Sequence, residues 1–324
     1  MKACAGTIAF TVVFVILSGM GRSEPLSVRT SAVNLHDEND QIRRVGSLIF
    51  RGGLHLTSPE PRFGGLSGLA VSDDGNLLSA VTDRGDWVRF APIVTRSGRL
   101  TGLDRAQIGR LLNLDGKPLR KKRDSDAESL SVIDGGFAVA FERRHRVRLY
   151  RGTPNPFLSR PTDMILPALS RAMPPNGGVE ALARLRDGRV IAISEKFPVD
   201  ASYAQGWISE ERWWLGFCYS RHALFLPAGA TTLPGGDLLV LERRFSYIGG
   251  FGTRLVVVSP KLIRPGAEVT GQEVARFEAP LITENFEGIA GYRNGAGETV
   301  LYMISDDNFH ALQRSILLKF TLER

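Results

Sequence analysis

Residues 128–143 read ESLSVIDGGFAVAFER, and this pattern organises most of the chain. It comprises a short apolar strand, a glycine-containing turn, a second apolar strand, and an acid followed by a basic residue. Glycine at the turn favours a tight hairpin, because residues that accept positive φ suit turns whose twist matches that of the strands. The stretch therefore predicts a β-hairpin with a glutamate near each end.

Four further copies repeat this order of strand, turn, strand and acid. They occupy residues 67–84, 180–196, 228–244 and 287–307. The closing acids lie 47 to 64 residues apart in the chain, and they are Asp83, Glu142, Glu195, Glu242 and Asp306. Repeats of about 40 to 50 residues are typical of a four-stranded propeller blade. The sequence thus predicts an all-β fold, a β-propeller, with a decorated β-sandwich as the alternative architecture.

The number of blades depends on the strand-like residues that lie outside the five repeats. Five blades are clear, and the strand-like residues 45–56 leave room for one more, so a six-bladed propeller is expected. Alternating runs at 146–150 and 253–259 supply outer strands. The last run, 315–323, can pair with the N-terminal strand and close the ring, which removes exposed sheet edges. Residues 198–222 fit no strand pattern and predict an inserted loop or short helix over one end.

The N-terminal 23 residues have the layout of a secretory signal peptide. A basic residue precedes an uncharged run, residues 3–20, and polar residues follow. We therefore divide the chain into a signal peptide, 1–23, and a propeller domain, 24–324, which is periplasmic or secreted. A retained transmembrane anchor is the alternative, because the run is near the lower length limit for spanning a bilayer. After cleavage no stable membrane insertion is expected.

Charge and cysteine content narrow the range of partners. The chain has 41 basic and 34 acidic residues and a formal net charge of +7. This excess is too small to argue for nucleic-acid binding. Cleavage of the leader would leave Cys218 as the sole cysteine, so no internal disulfide could form. We expect a monomer that acts on a small anionic or ester substrate.

Each predicted hairpin brings its opening and closing polar residues to the same end. Repetition around a ring would gather carboxylates at one mouth of the propeller, where they could bind a metal ion. The predicted set comprises Asp83, Glu128, Glu142, Glu180, Glu195, Glu242, Glu287 and Asp306. So many like charges repel one another unless cations compensate them.

Two kinds of compensation are open. Calcium prefers about six to eight oxygen ligands in flexible geometry, which carboxylates at a propeller mouth can supply. Alternatively, basic residues that directly follow the closing acids neutralise the face, namely Arg84, Arg143, Lys196 and Arg243. The five histidines share no spacing typical of a zinc site.

A basic run precedes Glu128 and should lie at the same end of the ring. Its members are Lys117, Arg120, Lys121, Lys122 and Arg123. They either capture a phosphorylated or otherwise anionic substrate or form a solvated loop. The sequence contains no nucleophile elbow, phosphate-binding loop or complete dinucleotide fingerprint.

Several motifs, taken together in chain order, resemble a known family. They include VTDRGDW (81–87), DAESL (126–130), NGGVEAL (176–182), LVLERRFS (239–246), ENFEGIA (284–290) and SDDNFHALQRSILLKF (305–320). This set resembles the phytase-like family, also described as having esterase-like activity of phytase. The resemblance implies a β-propeller, an exported bacterial protein, and hydrolysis of phosphate or carboxylic esters. In the similar alkaline phytases, calcium ions at the propeller mouth bind phosphate and activate a water. Glu284 and Glu287 are the nearest counterparts of their calcium ligands.

The first functional hypothesis is a calcium-dependent phosphoester hydrolase. Its carboxylates would hold the metal, with Glu128, Glu180 and Glu287 as the leading candidates. Arg143 and Arg243 would stabilise the charge that develops in the reaction. A lactonase or carboxylic esterase on the same scaffold stays open, as does a non-catalytic propeller that binds a ligand or partner, because fold does not fix function.

Overall fold

The computed structural model describes residues 21–164, 166, 171–199, 202–211 and 213–323. The predicted leader lies outside the described residues up to residue 20, and its cleavage stays a prediction. Regular structure in the described chain is almost entirely β-strand, with one four-residue α-helix and short turns of 3-10 helix. No helix in this part of the chain is both long and apolar enough to cross a membrane.

Four strands precede the first repeat. They are β1 (Glu24–Pro25), β2 (Arg29–Val33), β3 (Arg44–Val45) and β4 (Leu48–Thr57). The first repeat and its outer strands form β5 (Leu66–Val71), β6 (Leu78–Thr82), β7 (Asp86–Val94) and β8 (Leu100–Arg110). After the helix α1 (Lys122–Ser125), the second repeat forms β9 (Ala127–Ile133), β10 (Gly136–Phe141), β11 (Arg146–Arg151) and β12 (Thr162–Met164).

The remaining three repeats follow the same scheme. The third forms β13 (Val179–Arg184), β14 (Val190–Ser194), β15 (Tyr203–Glu210) and β16 (Trp213–Ser220). The fourth and its following segment form β17 (Leu226–Thr232), β18 (Leu238–Ser246), β19 (Gly250–Val258), β20 (Glu268–Val269) and β21 (Gln272–Phe277). The fifth forms β22 (Phe286–Arg293), β23 (Thr299–Ser305) and β24 (Ser315–Leu322).

These strands make five sheets, and each sheet is one blade of a propeller. From the centre outwards the blades are β5-β6-β7-β8-β1, β9-β10-β11-β12, β13-β14-β15-β16-β20, β17-β18-β19-β21 and β22-β23-β24-β4-β2, with β3 paired to β4. The inner strands β5, β9, β13, β17 and β22 contact one another in a closed cycle. The predicted all-β propeller is confirmed, and all five repeats are the inner hairpins of blades.

The ring closes where the two ends of the propeller meet in blade five. Strand β24 pairs antiparallel with β4, so that Leu317 lies opposite Leu54 and Phe320 opposite Phe50. The predicted closure by the last run is confirmed. A sixth blade is not found in the described residues, because β4 completes the fifth blade instead of starting another. Its apolar side chains find their partners on β24 and need no separate sheet.

The segment expected to be a loop or short helix is instead the outer hairpin of blade three. Residues 203–210 and 213–220 pair as β15 and β16, with Gly206 opposite Phe217. A side chain at Gly206 would overlap the Phe217 ring, so the glycine makes room for the aromatic side chain across the pair. The prediction was wrong because it looked for continuous apolar strands, whereas here the glycine of each strand lies opposite an aromatic residue of the other, Gly206 opposite Phe217 and Gly216 opposite Trp207.

Apolar side chains on both faces of each blade explain why the inner strands read as nearly continuous apolar runs. Five core clusters lie among the described residues, one between each pair of neighbouring blades. Between blades one and two, for example, the Trp87 ring stacks on Phe157 at 5.6 Å between centroids. Because both faces are covered, hydrophobic burial along the whole ring favours closure.

Replacing Phe320 with Ala should destabilise the fold strongly, because Phe320 is fully buried at the closure and packs on Phe50 and Phe277 at 5.6 Å each. We expect a loss of about 3 to 5 kcal/mol in the free energy of unfolding, measured by urea denaturation. Leu312→Ala, at a side chain that is 87% exposed, is the control and should change stability by less than about 0.5 kcal/mol. Equal free energies of unfolding for Phe320→Ala and Leu312→Ala would contradict the packing of Phe320 at the ring closure.

Candidate functional site at the propeller mouth

The mouth is a cavity of about 280 Å³ at the end of the ring where the inner hairpins open and close. Its carboxylates are Asp83, Asp126, Glu128, Glu142, Glu180, Glu195, Glu287 and Asp306. Its cations are Lys122, Arg143, Lys196 and Arg243, and its remaining lining residues are Asn176, Gly177 and Asn308. With all groups ionised, eight acids and four bases give the mouth a formal charge of −4. Seven of the eight predicted metal ligands therefore share one mouth.

A bulge at the start of each inner hairpin turns the opening residue of the repeat out of the ladder. The five unpaired residues are Ser67, Glu128, Glu180, Ala228 and Glu287. Bulges of this kind re-aim a side chain and are frequent beside functional sites. The three glutamates of this set line the mouth, as the sequence predicted.

Glu242 does not share the mouth, contrary to the sequence-based expectation. In blade four Pro227 pairs with Glu242, as Val179 pairs with Ser194 in blade three, so the residue that corresponds to Glu195 is Arg243. A shift of one residue along a strand moves a side chain to the opposite face of the sheet. The repeat was aligned on Gly235, whereas the glycine that adopts positive φ in this turn is Gly236. An alignment on Gly236 matches Arg243, and not Glu242, with Glu195.

Glu242 is instead a buried member of the packing between blades three and four. Its carboxylate accepts a hydrogen bond from the Tyr219 hydroxyl at 2.7 Å and pairs with the Arg254 guanidinium at 2.6 Å. Burial raises the pKa of Glu242, while Tyr219 and Arg254 lower it. These contacts account for both of its oxygens.

Arg243 contacts three carboxylates at once. Its Nη2 atom lies 3.2 Å from Glu195 and from Glu287 and 3.5 Å from Glu180. Its Nη1 atom donates to the Asn285 amide oxygen at 3.0 Å. Burial lowers the pKa of Arg243, but the carboxylates of Glu287, Glu180 and Glu195 raise it by more, so the group stays charged. One cation on blade four thus links carboxylates of blades three and five.

Glu180 and Glu195 have pKa values that move in opposite directions. Burial and then the charge of Glu195 hold the pKa of Glu180 well above its usual range. Burial would also raise the pKa of Glu195, but Arg243 and Lys196 lower it, and the Lys196 ammonium lies 2.8 Å from its carboxylate. Neighbouring carboxyl groups of this kind are suited to one protonated and one ionised role.

The second blade brings Asp126, Glu128 and Glu142 together, with one carboxylate oxygen from each within 4.8 Å of the others. This acidic triad could hold a metal ion. Glu142 accepts hydrogen bonds from the backbone N–H groups of Gly177 and Gly178, the latter at 2.7 Å. Asp126 pairs with the Arg143 guanidinium and with Lys122, the latter at 2.5 Å.

Glu128 is the triad member without a partner, since no hydrogen bond or ion pair to it occurs among the described residues. Burial, followed by the charges of Glu287 and Glu180, holds the pKa of Glu128 well above its usual range. A cation placed beside it would relieve both effects. An added positive charge would therefore stabilise the ionised form of Glu128.

Asp83 and Asp306 complete the mouth on blades one and five. Lys122 lies 2.8 Å from one oxygen of Asp83, while the other oxygen is buried and without a hydrogen-bond partner in the described chain. Burial and then Glu287 hold the pKa of Asp306 well above its usual range.

Two further residues singled out from the sequence lie outside the mouth lining. Arg84, expected to neutralise a closing acid, stacks on the Phe309 ring at 3.3 Å. Glu284, the counterpart suggested by the family resemblance, pairs with Arg314 at 2.6 Å.

Sequence reasoning missed Asp126 and assigned Lys122 only to a basic loop. Asp126 stands two residues before the bulged Glu128, and its carbonyl accepts the backbone N–H of Glu142. In blade five Asn285 holds the same position before Glu287. The polar residue two places before each of these glutamates was the available signal.

The comparisons with known proteins identify the sequence family. The model of the family described as phytase-like, esterase-like activity of phytase, matches residues 61–309, a span that contains every carboxylate of the mouth. The family resemblance drawn from the motifs is confirmed. No curated protein matches the sequence.

Solved structures of low identity also resemble the chain. An α-L-arabinofuranosidase from Podospora anserina is 12% identical, and the match covers 86% of this chain and 98% of that one at a TM-score of 0.46. An aldose sugar dehydrogenase from Streptomyces coelicolor is 12% identical over 92% and 99%, at 0.42. The β-propeller domain of Swd1 from Myceliophteria thermophila is 9% identical over 92% and 100%, at 0.39. Similarities this weak carry no argument about activity.

Replacing Arg243 with Met should destabilise the protein by about 3 kcal/mol at pH 7, because removing one partner of a buried ion pair leaves uncompensated charge. The loss should shrink as the pH falls towards 4.5. Glu180 and Glu287 have raised pKa values in the folded state, so folding takes up protons there and lower pH favours the folded variant. Urea denaturation across this pH range measures the effect.

Arg189→Met is the matched control for this test. Arg189 pairs with Asp187 at 2.8 Å and with Glu210 at 3.4 Å on the surface, so its loss should cost less than about 1 kcal/mol. A pH-independent loss in Arg243→Met, or a loss no larger than that of the control, would contradict the role assigned to Arg243.

Proposed function

The chain belongs to the phytase-like family, and from this premise we propose that it is a calcium-dependent hydrolase of phosphate esters whose reaction takes place in the mouth. The observation that carries the proposal is the acidic triad of Asp126, Glu128 and Glu142, whose carboxylate oxygens converge within 4.8 Å. Ionisable groups with strongly shifted pKa values in a cavity are typical of functional sites.

Calcium fits the donor atoms that the mouth offers. Carboxylate, amide and backbone oxygens are its preferred ligands, and the mouth supplies all three types. Histidine and cysteine, which favour zinc and other transition metals, are missing from the mouth lining within the described residues. The buried, unpartnered oxygen of Asp83 and the partnerless Glu128 support the same conclusion, because each would be stabilised by a nearby cation.

The residues of the mouth divide the remaining chemistry between them. A calcium ion held by the triad would supply Lewis acidity towards an oxygen of the ester. Glu180, whose pKa is raised by burial and by the neighbouring Glu195, would donate a proton to a leaving alcohol. Arg243 keeps Glu195 ionised and so maintains the difference between the two groups.

Cations at the mouth favour a phosphate ester over an uncharged ester. The side chains of Lys122, Arg143 and Lys196 are 44%, 38% and 51% exposed, so each can turn from its carboxylate towards a substrate. Hydrogen bonds from such cations to phosphate oxygens are strong because both partners are charged. A lactonase or carboxylic esterase, whose substrates are uncharged at the reacting group, would have less use for three exposed cations.

A non-catalytic binding propeller is the second candidate, and Arg243 is the observation that favours it. This guanidinium compensates Glu180, Glu195 and Glu287 without any metal ion. On this alternative, the remaining acids would be compensated by Lys122 and Arg143 alone, and the mouth would bind a ligand without turnover.

Calcium should raise the melting temperature of the protein, because a ligand that binds only the folded state stabilises it by about 2.7 kcal/mol at 100 times its dissociation constant. Glu128→Gln keeps the shape of the side chain but removes its charge, so it should abolish this shift. Glu38→Gln, at an exposed glutamate away from the mouth, is the control and should keep the full shift. Thermal melting with calcium and with chelator measures both.

Turnover is tested in the same samples with phosphate esters, lactones and short acyl esters. We expect calcium-dependent hydrolysis of phosphate esters in the parent and in Glu38→Gln, and none in Glu128→Gln or Glu180→Gln. Glu180→Gln should retain part of the calcium shift, since Glu180 lies outside the triad. A parent protein whose stability and activity are both unchanged by chelator would favour the binding propeller.

We also propose that the chain is exported and that the leader is removed near Ser23, leaving a monomer in the periplasm. The support is the layout of residues 1–23 and the start of β1 at Glu24, which pairs with β8 of blade one. Intact-mass measurement of protein from the periplasmic fraction should find a chain that lacks Cys4. An unprocessed chain in the membrane fraction would overturn this proposal.

A further inference from the structure

A second and larger cavity lies beside the mouth on blade two. Its volume is about 1030 Å³, and eight arginine and lysine side chains and His145 line it against one carboxylate, that of Asp124. Three members of the basic run identified in the sequence, Lys117, Arg120 and Lys121, belong to this lining. We call this space the basic cavity.

Five of its cations have no carboxylate partner. No ion pair within the described residues is formed by Lys117, Arg120, Lys121, Arg146 or Arg171, although each lines the basic cavity. Asp124 is already engaged, because it pairs with Arg144 at 2.7 Å. The cavity therefore holds a local excess of positive charge that the protein itself does not compensate, and an anion would find it attractive.

The inner wall of the basic cavity contains buried guanidinium groups. Arg148 is 8% exposed, and the Nε atom of Arg146 is buried without an acceptor in the described chain. Burial and then the charge of Arg148 lower the pKa of Arg146 to about 10. A buried donor without an acceptor costs free energy. An anionic group in the cavity would compensate the positive charge of these guanidinium groups.

Apolar side chains form another part of the wall. Leu119 and Met173 are buried there, and Pro118 and Pro175 also line the cavity. The volume far exceeds what a single phosphate ion fills and is comparable to sites for organic molecules of about 300 to 1000 Å³. A ligand that satisfies both parts of the wall needs an anionic head and an apolar body.

We propose that the basic cavity binds a soluble organic anion with a phosphate-type head and an apolar body. Guanidinium groups suit such a head, because their planar donors match phosphate oxygens. Arg143 lines both the basic cavity and the mouth, so a ligand bound in the first lies next to the second. The binding site itself does not depend on hydrolysis in the mouth.

Benzylphosphonate tests the proposal, because its carbon–phosphorus bond resists hydrolysis and it combines both chemical features. Isothermal titration calorimetry in the presence of chelator keeps calcium out of the mouth, so failure of the proposed hydrolase function does not affect the result. Methylphosphonate supplies the head alone and benzyl alcohol the body alone. We expect benzylphosphonate to bind at least tenfold more tightly than either of them.

A charge-matched pair of double variants locates the site. Arg120→Gln with Lys121→Gln removes two exposed cations of the basic cavity and should weaken benzylphosphonate binding roughly tenfold. Lys261→Gln with Arg264→Gln removes one lysine and one arginine elsewhere on the surface and should leave binding unchanged. Thermal melting checks that both proteins fold.

The other outcomes overturn the proposal. No binding of benzylphosphonate, or equal weakening by both double variants, would mean that the cavity is not a specific site. Equal affinity for methylphosphonate and benzylphosphonate would contradict the proposal that the ligand has an apolar body. Binding only to phosphatidylcholine vesicles that contain phosphatidic acid, and not to benzylphosphonate, would replace the soluble ligand with a lipid surface.

Discussion

Eight carboxylates share a cavity of about 280 Å³, and the propeller can close only if their mutual repulsion is compensated. Part of this compensation is built into the repeat. Blades two, three and five turn a glutamate into the mouth at the bulge, whereas blade four has Ala228 at that position and Arg243 at the closing position. Because the fourth repeat departs from the acidic pattern, a single guanidinium contacts carboxylates from two neighbouring blades. Its positive charge offsets the repulsion among the acids of the other repeats.

The same compensation divides the mouth into two unlike halves. On the side of Arg243 the cation is itself largely buried, so its ion pairs are fixed and costly to break. On the side of the triad, the buried Asp126 is paired with Lys122 and Arg143, whose side chains are 44% and 38% exposed, so the cations of this half are accessible from the mouth. The cations that compensate this ring of acids are therefore fixed on one side and accessible on the other. A count of charges along the sequence could not reveal this difference.

The sequence predicted what depends on repetition and missed what depends on pairs of residues across strands. The five hairpins, their shared mouth and the closure by residues 315–323 follow from periodicity and turn chemistry. The register of the fourth repeat depends on which of two adjacent glycines adopts positive φ, and the choice of the wrong one moved Glu242 into the predicted site. Likewise, β15 and β16 were missed because the reason for a glycine at position 206 is the Phe217 ring opposite it on the other strand. The sixth blade was expected because the sheet that β4 joins is decided by its pairing with β24, at the far end of the chain.

On the proposed function, metal binding and substrate binding would be linked through Asp126. A cation held by the triad competes with Lys122 and Arg143 for the same carboxylate, so occupancy of the triad weakens both ion pairs. Each released side chain then has a free positive charge at the mouth, and Arg143 also borders the basic cavity. Because Asp126 is buried, the exchange requires that the metal replace the positive charge that Lys122 and Arg143 supply to it. On the proposed function, the arrival of the metal would therefore be coupled to the appearance of cations that can bind an anionic substrate. Without the metal, the same cations would remain engaged with Asp126 and Asp83.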